Sequence, residues 1–174
     1  MHIRIKKGAE PAAVHQAIPV PHHWRAEGLE RDCNQGIISK VPAETPKTWC
    51  SRMVVTPKAD GSPRRTVDLQ PLNRVASRDT QHTPSPFNLV SRVPKGKCKS
   101  VLDCWNVFHS VPLTPESGDA TTFITEFGRY QYMRAPMGFS AGNDAFTKRT
   151  DDITAEVPNK IGIIDDAMLY EGSI

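Results

Sequence analysis

A mixed α+β fold is predicted for this 174-residue chain, and three observations predict it. Strand-like runs rich in β-branched residues are interleaved with stretches of helical period, an order that neither an all-α nor an all-β domain accommodates. The 15 prolines fall between those stretches rather than inside them, which implies short elements with rigid connections. Ala59-Asp60-Gly61 stands between Met53-Val54-Val55 and Arg65-Thr66-Val67, and an Asp-Gly step between two such runs is a hairpin signal.

Taken in order, residues 1–21 read as an extended arm punctuated by Pro11, Pro19 and Pro21. Trp24, Leu29, Cys33 and Ile37 fit one face of a helix that ends near Gly36. Beyond the hairpin, Ser85-Pro86 opens a short helix within 84–93, with Phe87, Val90 and Val93 as its apolar face. Strands are expected at 100–103, 120–125 and 130–134, the last two joined by Glu126-Phe127-Gly128-Arg129. Asn143 is placed to cap a helix carrying Phe146, Ile153 and Val157 on one side, and Pro158 stops it. Two apolar runs, 161–164 and 167–170, close the series with Asp165-Asp166 between them.

Composition bounds the function. Hydrophobic residues make up 38% and charged residues 24%, so the chain is neither disordered by composition nor membrane-like. No apolar run approaches the ~18 residues that span a bilayer, and Met1 to Lys7 lacks the apolar core of a signal peptide, so an intracellular location without a membrane partner is expected. Cys33, Cys50, Cys98 and Cys104 form no C-x-x-C pair and no zinc spacing with histidines, which leaves thiols without a metal or disulfide role. Net charge is +3 but uneven: residues 1–100 hold 17 Lys+Arg against 8 Asp+Glu, and residues 101–174 hold 5 against 11. A basic half suits a phosphate backbone and clustered carboxylates suit hard cations, although solvated faces distribute charge in the same way.

The strongest local feature is Ile161 to Tyr170. Two adjacent aspartates between apolar strands are not there for packing, since burying either charge unpaired costs several kcal/mol. They sit in water, as a solvated turn, or on a cation. A second segment, Ser100-Val101-Leu102-Asp103, is another apolar strand ending in an aspartate. Two-metal nucleotidyl transfer needs carboxylates from separate strands converging on ions about 3.5–4 Å apart, and a strand end beside a hairpin tip supplies that geometry. Asp151-Asp152 is a different case: adjacent helical residues diverge by about 100°, so that pair is read as a solvated helix face.

These segments, in this order, resemble the reverse transcriptases of gypsy-type LTR retrotransposons over nearly the whole chain. Trp49 to Arg64 resembles the fingers hairpin, and Val67-Asp68-Leu69-Gln70-Pro71-Leu72-Asn73 resembles the VDxxxLN stretch that follows it. Val101 to Phe108 resembles the first catalytic motif, and Thr122-Phe123-Ile124-Thr125 with Phe127-Gly128-Arg129-Tyr130 the hairpin beyond it. Pro136-Met137-Gly138-Phe139-Ser140 resembles the PFG segment, and Ile163-Ile164-Asp165-Asp166 stands where the family has YxDD.

The resemblance implies an α+β, reverse-transcriptase-like palm, a three-stranded antiparallel sheet with helices on one face, plus a partial fingers lobe. The arm would cover 1–21, the fingers-like region 22–99 and the palm-like region 100–174. It implies RNA-directed DNA polymerase activity: two-metal transfer of dNTPs to a primer 3′-OH on an RNA or DNA template. Asp103, Asp165 and Asp166 would be catalytic and would hold two Mg²⁺ ions, with Mn²⁺ as a substitute. Lys58 and Arg64 would contact the incoming triphosphate, Arg64 through its bidentate fork. Phe108 would stand against the deoxyribose, Met137 and Gly138 would lie under the template-nucleotide pair, and Cys104 and Trp105 would contribute backbone near the metals.

Without the family, Lys58 and Arg64 read as ordinary decoration of a solvated hairpin, Phe108 as core and Gly138 as a turn glycine. Ile163 replaces the family's Tyr and loses a hydroxyl near the primer end, and Asn143-Asp144 replaces an Ala-Pro step, which shifts the expected start of the next helix. The family's thumb, connection and RNase H regions, protease and integrase are expected to lie outside this chain, with poor processivity as the consequence. Two other readings remain: a catalytically inactive retroelement remnant retaining at most nucleic-acid binding, and a Mg²⁺-dependent nuclease, against which the Lys58 to Arg64 hairpin counts.

Overall fold

The computed structural model describes residues 1–20, 27–78, 85–103, 107–163 and 166–171, and side chains at all of these except 27, 86 and 163. The chain is α+β, and its described residues build two sheets. Helix α1 (Glu27–Asn34) leads into β1 (Ile38–Val41), and the hairpin β2 (Ser51–Pro57) and β3 (Pro63–Asp68) follows. Helices α2 (Gln70–Val75) and α3 (Pro86–Val90) precede β4 (Cys98–Asp103), a 3₁₀ turn (Val107–Ser110) and α4 (Pro115–Ala120). A second hairpin, β5 (Phe123–Thr125) and β6 (Gly128–Tyr132), leads to α5 (Ser140–Ile153), and β7 (Lys160–Ile163) and β8 (Asp166–Glu171) come last.

Five strands form one mixed sheet in the order β1-β6-β5-β2-β3, in which only β2 and β5 run parallel. The other sheet is antiparallel, in the order β4-β8-β7. Because β5 and β6 pair with strands from the first half of the chain, the larger sheet draws on both sides of residue 100.

The first hairpin forms as its turn chemistry dictates. Pro57 and Pro63 close the ladder, and the Asp60 carboxylate accepts from the Ser62 N–H at 2.9 Å and its hydroxyl at 2.6 Å. These bonds to Ser62, aided by nearby Lys58, hold the Asp60 carboxyl below its ordinary value. The main core gathers the inward faces of the large sheet with Leu69, Leu72 and Phe139. Phe123 stacks on Tyr130 with centroids 5.9 Å apart and meets Tyr132 at 5.3 Å. Burial pushes the Tyr132 hydroxyl up to about 12. A smaller cluster of Val107, Val111, Ala135 and Phe146 ties the 3₁₀ turn to α5.

Residues 1–20 lie against this body. Ile3 and Val20 are buried, Ile5 bridges Ala76, and Ala13 bridges Cys50.

Several elements differ from expectation. Helix α1 ends at Asn34, so Ile37 is not on it, and Trp24 lies outside the described residues. In α3 the buried residue is Leu89, while Phe87 and Val90 face out. Ala120 closes a helix rather than opening a strand, because Thr114-Pro115 starts α4. Helix α5 begins at Ser140, which puts Asn143 inside it. Its buried residues are Ala141, Gly142, Asp144 and Phe146, Ile153 is 72% exposed, and Val157 lies beyond its end. Every residue of β4 is exposed, including Val101 and Leu102, so the strand is apolar in sequence but uncovered among the described residues.

Candidate active site

Asp103 is the last residue of β4 and Asp166 the first of β8, and the register sets them directly opposite one another. Residues opposed across an antiparallel pair send their side chains to the same face with Cβ atoms about 4.5–5.5 Å apart, so the two carboxylates stand side by side. The pairing of Ile163 with Asp166 brings β7 to the same end of the sheet. Both aspartates are exposed, and neither carboxylate has a hydrogen-bond or ion-pair partner among the described residues. Asp165, Cys104 and Trp105 lie outside the described residues. Facing carboxylates without a cationic partner are the donor set that suits a hard divalent ion, so the residues present fit Mg²⁺ or Mn²⁺. Asp151 and Asp152 are exposed on α5, as expected of a solvated face.

The residues expected to bind nucleotide divide into two groups. Lys58, Arg64 and Met137 line one cavity of about 570 Å³, together with Asp32, His109 and Tyr132. Lys58 and Arg64 flank the hairpin tip with exposed side chains. The adjacent Arg65 lines the same cavity and is tied to Asp32 of α1 at 2.7 Å, which braces the hairpin against that helix. Met137 is 45% exposed, and Gly138 follows it at φ +83°, a left-handed conformation that glycine adopts without steric cost. Phe108 stands apart from this cavity. It is half-buried against Phe146, with centroids 6.2 Å apart and planes tilted by 58°.

Sequence reasoning missed Asp32, Arg65 and His109. His109 extends from the 3₁₀ turn into the cavity wall, and its buried Nδ1 has no hydrogen-bond partner among the described residues. Burial pushes the His109 pKa below 6.5, against the pull of Asp32 and with the help of Arg134. The unfolded chain therefore takes up this proton first, so stability is full above about pH 6.5 and declines as pH falls through that value. His109→Phe should flatten this decline between pH 7.5 and 5.5 in thermal unfolding. It should also raise Tm at both, since an orphaned buried polar group costs about 1–3 kcal/mol. An unchanged acid sensitivity would assign the effect to another group.

The fold and this arrangement define a class: the chain has the retroviral reverse-transcriptase type of fold. It superposes on the crystal structure of prototype foamy virus protease-reverse transcriptase with a TM-score of 0.83 at 25% identity, over 97% of this chain and 23% of that one. The foamy viral protease-reverse transcriptase in complex with RNA/DNA hybrid gives a TM-score of 0.83 at 19% identity, over 98% of this chain and 23% of the other, a likeness of fold. No family model matches the chain.

In sequence it is 32% identical over 110 residues to the Pro-Pol polyprotein of simian foamy virus type 1, which is 63% of this chain and 10% of that polyprotein. It is 28% identical over 149 residues to the retrovirus-related Pol polyprotein from transposon 297 of Drosophila melanogaster, 81% of this chain and 14% of the relative. The homologues are thus Pol polyproteins of gypsy-type and other retrotransposons and of foamy viruses, and the chain is a retroelement polyprotein domain. The matched regions span only 10% and 14% of the length of these two curated relatives.

Proposed function

We propose that this chain is the nucleotidyl-transfer portion of an RNA-directed DNA polymerase. The observation that carries the reading is the register of Asp103 against Asp166, two carboxylates from separate strands on one face of the β4-β8-β7 sheet. Asp103 and Asp166, with Asp165, would hold divalent ions, which when bound activate a primer 3′-OH and neutralise the leaving pyrophosphate. Arg64 offers a planar fork to phosphate oxygens and Lys58 a mobile point charge, so the hairpin tip suits a triphosphate. The turn at Met137 and Gly138 brings backbone close to a bound nucleotide, and Phe108, held by Phe146, suits a wall beside its sugar. Polymers accepted at such a site are an RNA or DNA template with its primer. The foamy viral neighbour bound to RNA/DNA hybrid supports that partner, and the basic half of the sequence supplies the charge for it.

Primer extension by the full chain on an RNA template tests this, with Mg²⁺ or Mn²⁺ and dNTPs. The chain should extend the primer and Asp165→Asn should not. Equal signals from the two proteins would end the polymerase reading.

A further inference from the structure

The proposed chemistry gives no part to Asn73, the last residue of the VDxxxLN stretch. It lies on α2, whose N-cap Leu69 is 2% and whose own Leu72 is 1% exposed, so the helix that carries it is anchored in the core. The amide reaches 65 residues along the chain: Asn73 Nδ2 donates to the Gly138 carbonyl at 2.8 Å. Its Oδ1 in turn accepts from the Ser140 N–H at 3.0 Å.

Both ends of the amide are therefore engaged, and reversing it would set two donors and two acceptors against each other. Ser140 is the first residue of α5, and the N-cap residue Phe139 provides no side-chain bond, so Asn73 supplies a cap from another element. The first of the two bonded residues, Gly138, takes a positive φ directly after Met137 at the wall of the cavity that Lys58 and Arg64 share.

We propose that Asn73 is a positioning residue of the nucleotide pocket: its amide fixes the Met137–Ser140 turn in the shape that presents Met137 to a nucleoside triphosphate held by Lys58 and Arg64. This rests on the polymerase reading above. A residue that merely capped α5 would act through the Ser140 bond alone. The bond to the Gly138 carbonyl is the part that shapes the pocket, and the two are separable. Asn73→Asp keeps an acceptor for the Ser140 N–H and places a carboxylate oxygen against the Gly138 carbonyl, whereas Asn73→Ala removes both bonds.

The experiment follows the methionine ε-methyl NMR signals of the full chain, with Met137 identified by Met137→Leu, while dGTP and Mg²⁺ are added. In the wild-type chain the Met137 methyl should shift on titration. Asn73→Asp should weaken dGTP binding about tenfold and lose that shift while Tm stays near wild type, and Asn73→Ala should lose Tm as well. In primer extension the Asp variant should raise KM for dGTP more than it lowers kcat. Wild-type affinity and an unchanged Met137 shift in Asn73→Asp would reduce Asn73 to a helix cap and overturn the inference. A wild-type chain that extends primers with no response at Met137 overturns it too, leaving the polymerase reading intact. Neither extension nor any dGTP response would overturn both.

Discussion

Asp166→Asn should lower primer extension by about a thousandfold and leave the protein slightly more stable than before. The activity loss follows from the donor set, since the amide keeps the shape of the carboxylate but gives up the charge that holds a divalent ion against its hydration shell. A single preorganised electrostatic partner in an active site is worth roughly 10²–10³ in rate, and the ion-binding loss adds to that. The gain in stability has a separate cause. Asp103 and Asp166 face each other across the ladder with no described cationic partner, and like charges directly opposed in a sheet repel by about 0.2–1 kcal/mol. Neutralising either one relieves this, so Asp103→Asn should behave in the same way. The check is paired: steady-state extension, and thermal unfolding without divalent ions. Adding Mn²⁺ should raise the Tm of the wild-type chain more than that of either variant. A loss of activity accompanied by a loss of Tm would mean that the aspartates hold the sheet together instead.

The facing aspartates and the first hairpin were legible because their signals are local. Asp60-Gly61 fixes a turn between its own neighbours, and a carboxylate ending an apolar run marks a strand end wherever that strand pairs. The strand β1 was not read, since four residues directly after a helix carry too little period to stand out. The start of α5 was misplaced for a reason that no window of neighbouring residues contains. Asn143 carries the preferred side chain for a cap, but the cap is Asn73, contributed by α2, while the fully buried Phe139 fixes where the helix begins. The packed side of α5 is made largely of small residues and one aspartate, which a search for large apolar side chains passes over. Of the site, Lys58, Arg64 and Met137 do share a cavity. Asp32, Arg65 and His109 were missed because their places depend on α1 and the 3₁₀ turn folding against the hairpin.

The same non-local logic makes Arg78→Met the substitution with the largest expected cost in stability. Arg78 grips Asp144 with two bonds of 2.9 Å, Nε to Oδ2 and a terminal nitrogen to Oδ1, across 66 residues of sequence. The two ends are unequally placed, since Asp144 is 8% exposed on α5 and Arg78 is 47% exposed. The bonds from the Asp144 carboxylate push the Arg78 pKa further up, so the arginine stays charged at any pH at which the protein folds. Removing the arginine leaves a carboxylate buried without its counter-ion, for which a fully buried pair costs about 3–5 kcal/mol; with half of Arg78 in water, about 2–3 is expected. Removing the aspartate leaves an arginine that turns into solvent, so Asp144→Leu should cost about 1 kcal/mol or less. The double variant Arg78→Met with Asp144→Leu should recover most of the loss, because apolar side chains of similar volume need no partner. Urea unfolding of the four proteins closes the cycle. Equal losses from the two single variants, or simple additivity in the double, would show that the pair is solvated and that α5 is held by Phe146 and its small neighbours alone.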